Sequence, residues 1–236
     1  MVSVLPRLSK IRGIALDFVF PKKCVNCGRE GSFICPTCQN ALPRLLSPYC
    51  TRCGRPNSVE GLCSRCAEWD ASIEGIRAPF AFDGTIRKAV YALKYNNIRA
   101  LAPLLAHLLY EFITETPLTG EVLIPVPLHS KRIKERGYNQ SGLLALELGK
   151  LTGLPVNESY LLRKISTTSQ TKTKNVHERR RNVENAFACS SDELKDKQVL
   201  LIDDVTTSGA TFDACSRALK ESGVVSVWGL ALAREL

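Results

Sequence analysis

Two sets of residues stand out by type and spacing. The first is eight cysteines in four Cys-x-x-Cys pairs: Cys24/Cys27, Cys35/Cys38, Cys50/Cys53 and Cys63/Cys66. One tight turn of this spacing offers two thiolates to a tetrahedral zinc. Gly28 and Gly54 follow the second cysteine of two pairs, where a knuckle needs a residue free of Cβ strain. Neighbourhood puts Cys24, Cys27, Cys35 and Cys38 around one zinc and Cys50, Cys53, Cys63 and Cys66 around another. The spacing also allows an interleaved cross-brace. Closed four-thiolate sites are structural and hold together a segment too small to fold by burial alone. A disulfide scaffold would need an oxidising compartment. No secretory signal supports one: Asp17 interrupts the apolar run 14–20 and no small-residue cleavage site follows.

The second set is Asp203, Asp204, Val205, Thr206, Thr207, Ser208, Gly209, Ala210 and Thr211. Before it, Val199, Leu200, Leu201 and Ile202 read as a strand buried on both faces and ending in the two carboxylates. After it, an amphipathic helix is expected over 210–222. In open α/β sheets, ligands sit outside the carboxyl ends of the strands. A loop that opens a helix there presents free backbone N–H groups, which suit a phosphate. Gly209 lets the backbone close around an anion, and Thr206, Thr207, Ser208 and Thr211 add hydroxyl donors. Asp203 and Asp204, acceptors only when ionised, match sugar hydroxyls or magnesium. Strand neighbours point to opposite faces, so the two carboxylates are not expected to force each other into protonation. A plain helix N-cap needs one such residue, not the assembly.

The intervening chain must position these groups. Residues 76–82 alternate like a strand, Asp83-Gly84 marks a turn, and 85–95 and 100–114 read as helices. Lys94 ends the first of these and could reach a phosphate; His107 is expected as a surface residue, not a ligand. A second buried strand, 122–127, leads into a basic loop, 128–140, which brings Arg132 and Arg136 to the same sheet edge. Arginines there grip a pyrophosphate bidentately. A helix is expected over 141–151 and strands over 160–165, 186–189 and 224–231. The polar, cationic stretch 166–182 reads either as a lid that would close over a polyphosphate or as a disordered segment. At the front, an amphipathic helix is expected over 5–20.

The 236 residues suffice for one mid-sized domain plus a small one, with 44% apolar content and no run near the ~20 residues of a membrane span. The formal charge is +9, which favours acidic partners. Eight zinc-bound thiolates against two divalent ions would take it to about +5. Up to Cys66 there are ten Lys or Arg, among them Arg44, Arg52, Arg55 and Arg65, against three Asp or Glu. Such a ribbon surface suits nucleic acid or a protein, and solvated charge explains it nearly as well.

The stretch from Val199 to Thr211 resembles the phosphoribosyl pyrophosphate (PRPP) signature of the type I phosphoribosyltransferases, with Ser208 where many relatives have threonine or glycine. That resemblance implies that the two acids hold the ribose hydroxyls and the loop holds the 5′-phosphate. Nearly the whole chain resembles the ComF family, associated with natural competence and DNA uptake. The residues that carry this are the cysteine pairs, Leu93-Lys94-Tyr95, Pro125-Val126-Pro127, Arg136-Gly137-Tyr138-Asn139-Gln140, the run from Gln170 through Arg179 and Asn182-Val183 to Ala186-Phe187, and Asp203 to Thr211. The resemblance implies an α/β fold: a type I phosphoribosyltransferase-like parallel sheet with helices on both faces, preceded by a small zinc-ribbon module. We divide the chain into 1–72, the N-terminal helix and double ribbon, and 73–236, the phosphoribosyltransferase-like domain. Implied too are a pyrophosphate site around 132–140, a lid over 168–181, two structural zinc ions, and magnesium arriving with PRPP. The expectation is thus a PRPP-binding protein serving DNA uptake and handling, with magnesium-dependent phosphoribosyl transfer as its candidate activity. The competing expectation is a non-catalytic adaptor for single-stranded DNA or DNA-uptake proteins. The expected location is cytoplasmic, with peripheral attachment at the inner face of the membrane as a further option.

Overall fold

The computed structural model describes residues 21–116, 118–164 and 186–236. The helix expected over 5–20, the lid over 166–182 and the motif residues Gln170, Arg179, Asn182 and Val183 lie outside these. In chain order the elements are α1 (Pro36–Asn40), α2 (Ser64–Ala67), β1 (Gly75–Arg77), β2 (Phe80–Ala81), α3 (Gly84–Tyr95) and α4 (Ala102–Glu115). Then come β3 (Val122–Pro125), α5 (Ser130–Arg136), α6 (Gln140–Thr152), β4 (Leu161–Arg163), β5 (Phe187–Cys189), β6 (Gln198–Thr206), α7 (Ala210–Glu221) and β7 (Ser226–Arg234).

The main sheet is parallel throughout, in the order β1–β7–β6–β3, with β2 also paired to β7. Alternation along the two inner strands divides the core. Leu200, Ile202, Leu230 and Leu232 pack with α3, α4 and α6 on one face. Val199, Leu201, Val227 and Ala231 pack with α7 and the β4–β5 pair on the other. The first cysteine quartet joins the former cluster through Cys24, Ile34, Cys35, Cys38 and Leu42. The second joins the latter through Cys50, Cys53, Cys66 and Trp69. The link between ribbons and sheet is pinned by buried polar contacts. Asp213 of α7 accepts from the N–H groups of Ser72 (2.6 Å) and Ile73 (3.3 Å), and Glu74 accepts from Val227 N–H (2.6 Å) and Lys220 (2.7 Å).

Three expectations need correction and one is extended. The strand over 76–82 is broken into β1 and β2, because Pro79 has no N–H to give to the ladder. The basic loop holds a short helix, α5, entered at His129, whose ring accepts from Lys131 N–H (3.1 Å), and stopped by left-handed Gly137. The strands expected over 160–165 and 186–189 are present as β4 and β5, which pair antiparallel with each other outside the main sheet. Finally, β6 does not end at the carboxylates but runs through Asp203 and Asp204 to Thr206, because β7 keeps pairing with it as far as Thr206↔Arg234.

Candidate functional site

At the carboxyl edge of β6, the two acids have different surroundings. Asp204 is buried and pairs with Lys94 at 2.5 Å, so the lysine that ends α3 is held against a carboxylate. Asp203 accepts from Ser141 Oγ at 2.7 Å, at the start of α6. Asn139 sets that helix start, accepting from Ser141 N–H (3.1 Å) and donating to Val126 O (3.0 Å) just past β3. Burial, and then the neighbouring Asp204 charge, push the Asp203 carboxyl up to about 7, against the Ser141 hydrogen bond. The expectation that opposite strand faces would spare the pair was therefore incorrect: in a low-dielectric edge the charges still interact.

Beyond the acids the chain turns. Val205 N–H is taken by Asp204 Oδ1 (2.9 Å), while Thr206 and Ala210 are buried and Thr211 lies in the first turn of α7. Among the described residues, nothing accepts from the backbone N–H groups of Thr207, Ser208 and Gly209. Gly209 sits at φ +80°, and a Cβ there would come 2.7 Å from Ile76 Cδ1 and 2.9 Å from the Trp69 ring. Only glycine lets the turn lie this close to the segment behind it. Three such donors at the N-terminus of a twelve-residue helix have the chemistry that an anion cradle requires.

Lys94, Arg132 and Arg136 line one groove of about 500 Å³ with Tyr95, Asn97, Glu135 and Tyr138. Arg136 donates to Gln140 and lies 5.4 Å from the Tyr95 ring centroid. Tyr138 donates from its hydroxyl to Leu93 O, which fixes the end of α3 against the start of α6. The structure thus brings the predicted cations together beside Asp204, while Thr207 and Ser208 line a separate, smaller cavity towards the second cysteine quartet.

The cysteines form two sets, Cys24/Cys27/Cys35/Cys38 and Cys50/Cys53/Cys63/Cys66, each with its sulfur atoms within 4.8 Å of one another. The pairing is sequential, not cross-braced. Backbone N–H groups donate to sulfur in both: Cys35 to Cys24 Sγ (3.5 Å) and Cys63 to Cys50 Sγ (3.4 Å). Both sets contain thiols that ionise easily: Cys24 and Cys35 in the first, Cys53 in the second. Cys53 is pulled down to about 4, first by the Cys66 thiol. Burial pushes Cys24 up, but the N–H groups of Cys27, Cys35 and Asn26 with the Cys27 side chain bring it down to about 6. Four convergent sulfurs with such donors fit a tetrahedral structural zinc.

The double zinc ribbon domain family matches residues 15–67. Competence protein F of Haemophilus influenzae is 30% identical over 230 residues, covering 91% of this chain and 98% of its own. The chain belongs to the ComF family. A DNA utilization protein of Salmonella typhi is 28% identical, with 86% of this chain and 91% of its own covered. A purine phosphoribosyltransferase from Pyrococcus horikoshii aligns with 55% of this chain and 80% of its own, at 18% identity and a TM-score of 0.33. Among the described residues, no helix is long and apolar enough to cross a membrane.

Several residues of this ComF chain that sequence reasoning passed over adjoin the site. Ser141 holds Asp203, and only its place after the Asn139 cap marked it. Trp69 backs Gly209. Arg234 is buried, with its charged form disfavoured by that burial down to about 10; its signal was one arginine closing an otherwise apolar strand. Phe82, Tyr91 and Tyr95 form a ladder with ring centroids 6.2 and 5.5 Å apart. Arg87 lies 5.7 Å from the centroid of Tyr91, and Tyr91 and Tyr95 are 44% and 66% exposed. Tyr91 and Tyr95 lie at i, i+4 on α3, a spacing that sets their rings side by side on its exposed face. His107 meets expectation: it is exposed, 3.5 Å from Glu111.

Proposed function

We propose that the chain binds a phosphorylated ribose, with PRPP as the reference ligand, at the carboxyl edge of β6, and serves DNA uptake and handling as its relatives' names suggest. The observation that carries this reading is the trio of unpaired N–H groups at Thr207, Ser208 and Gly209 beside two carboxylates. The 5′-phosphate takes the cradle, and a pyrophosphate takes the groove of Lys94, Arg132 and Arg136. Magnesium fits Asp203 together with the ligand's own oxygens, since Lys94 occupies Asp204. Binding the cation would ionise Asp203. Phosphoribosyl transfer needs little more than electrostatic support for the departing pyrophosphate and positioning of the ribose. Calorimetric titration of PRPP with magnesium should show saturable binding by the wild type and none by Asp203→Ala/Asp204→Ala. Equal binding by both removes the assignment. Pyrophosphate release from labelled PRPP over a panel of bases tests turnover.

The ladder Phe82–Tyr91–Tyr95, flanked by Arg87 and Arg136, favours a second reading in which single-stranded nucleic acid stacks along α3. Base stacking on exposed rings beside cations is sequence-tolerant and salt-dependent. Such binding should survive Asp203→Ala and weaken in Tyr91→Ala/Tyr95→Ala.

A further inference from the structure

Arg234 poses an electrostatic problem that the ligand site does not solve. It closes β7, is 1% exposed, and donates from one nitrogen to Thr207 O at 3.0 Å. Among the described residues, its Nε and second terminal nitrogen have no hydrogen-bond partner. A buried guanidinium left with two unmet donors is costly unless an anion faces it. The cavity it lines is small, about 30 Å³, and is shared with Cys53, Arg55, Arg65, Cys66, Thr207 and Ser208. No carboxylate is among these lining residues, and Arg55 and Arg65 add positive charge. The anions within reach are the sulfurs of the second quartet. Four thiolates on one divalent zinc keep a net negative charge, and outer donors to metal-bound sulfur stabilise such a centre.

We propose that Arg234 is the counter-ion of the second ribbon's tetrathiolate and that, through it, the metal holds the Thr207 turn of the phosphate cradle in place. The guanidinium spans two regions that the sequence keeps far apart. It shares a cavity with Cys53 and Cys66, and it donates to the carbonyl of Thr207 in the turn that carries the three N–H groups. Trp69, three residues past Cys66, presses on Gly209 and makes a second strut of the same bridge. Emptying the ribbon lets most of its thiolates take up protons, which cuts the counter-charge and frees their positions, so the guanidinium loses its fixed partner and the turn loosens. The first quartet has no such link: among the described residues its hydrogen bonds stay within the ribbon or reach Lys88 of α3.

The test is zinc release to a chromophoric chelator from the full chain, with alkylation and mass spectrometry assigning the freed cysteines. In Arg234→Met the second quartet should release its metal about tenfold faster or more, with the first quartet unchanged. Arg234→Lys, which keeps the charge and loses the fork, should recover part of the difference. Hydrogen exchange of residues 206–210 should rise when wild-type protein loses the second zinc and should already be raised in Arg234→Met. Equal release from wild type and Arg234→Met overturns the proposal, as does loop exchange indifferent to zinc. If the methionine variant does not fold, wild-type exchange before and after zinc removal decides alone. These readouts need no PRPP, so their failure is distinct from failure of the ligand assignment.

Discussion

The two ribbons share a ligand set and a knuckle geometry, yet they do different things. The first lies on the α3–α4 face, its cysteines packed among Ile34, Leu42 and the helix side chains, with Lys23 and Lys88 opening a groove beside exposed Tyr91. The second lies on the α7 face and adjoins the loop after β6 through Trp69 and Arg234. One ribbon therefore borders the aromatic ladder, while the other adjoins the turn from Thr207 to Gly209. The same metal chemistry supplies rigidity in both cases, and what differs is where the fold places it.

The sharpest way to break this contrast is to remove one metal at a time. Cys38→Ser and Cys53→Ser should each reduce zinc content from two to one by elemental analysis. Both should lower the melting temperature, since structural zinc contributes on the order of 10 kcal/mol to small ribbons. Below that temperature Cys53→Ser should abolish PRPP binding, and Cys38→Ser should leave it within about threefold. Equal losses would mean the ribbons are interchangeable.

Knuckle glycines give the next largest effect. Gly28 and Gly54 have matching φ angles, +76° and +70°, at equivalent places. A Cβ on Gly28 would meet nothing within 4 Å, whereas on Gly54 it would lie 2.3 Å from Ile76 O of β1. By chemical denaturation, Gly28→Ala should cost about 1 kcal/mol for the left-handed backbone. Gly54→Ala should cost roughly 2–3 kcal/mol more, since backbone must move.

A pH series addresses the cradle side by itself. Because the Asp203 carboxyl is raised to about 7 in the folded chain, it keeps a proton that the unfolded chain releases near pH 4. Its contribution to stability is complete below the unfolded value, declines as pH climbs towards 7, and then levels off. The melting temperature of ligand-free protein should carry this slope, and Asp203→Asn should flatten it. The smallest effect expected is at the ladder. Tyr95→Ala should weaken single-stranded DNA by about 1 kcal/mol in a filter or anisotropy assay, with zinc content unchanged.

Much of this architecture was legible because its signals are local. Cysteine spacing announced both quartets, and their sequential pairing needed only geometry to choose it. The run from Val199 to Thr211 announced a strand, a turn and a helix. What escaped reading depends on distant partners or weak periodicity. In α5 the sequence Ser-Lys-Arg-Ile-Lys-Glu-Arg offers one apolar residue, so no hydrophobic stripe betrays the helix. Pro79 did signal a broken strand, and the alternation around it hid the signal. The Asp203 shift needs Asp204 and a closed edge, and the role of Arg234 needs a ribbon that begins some 180 residues earlier.

The place of β7 bears on how the molecule assembles. It lies between β1 and β6, so β1 and β2 have no other strand in the sheet to join, and their pairings span about 150 residues of chain. Until residues 226–234 emerge from the ribosome, a nascent chain holds β6 with a bare edge and leaves β1 and β2 without their partner strand. Such an intermediate is a natural client for a chaperone, and truncations that spare every cysteine and both acids would still yield insoluble protein if they removed this strand.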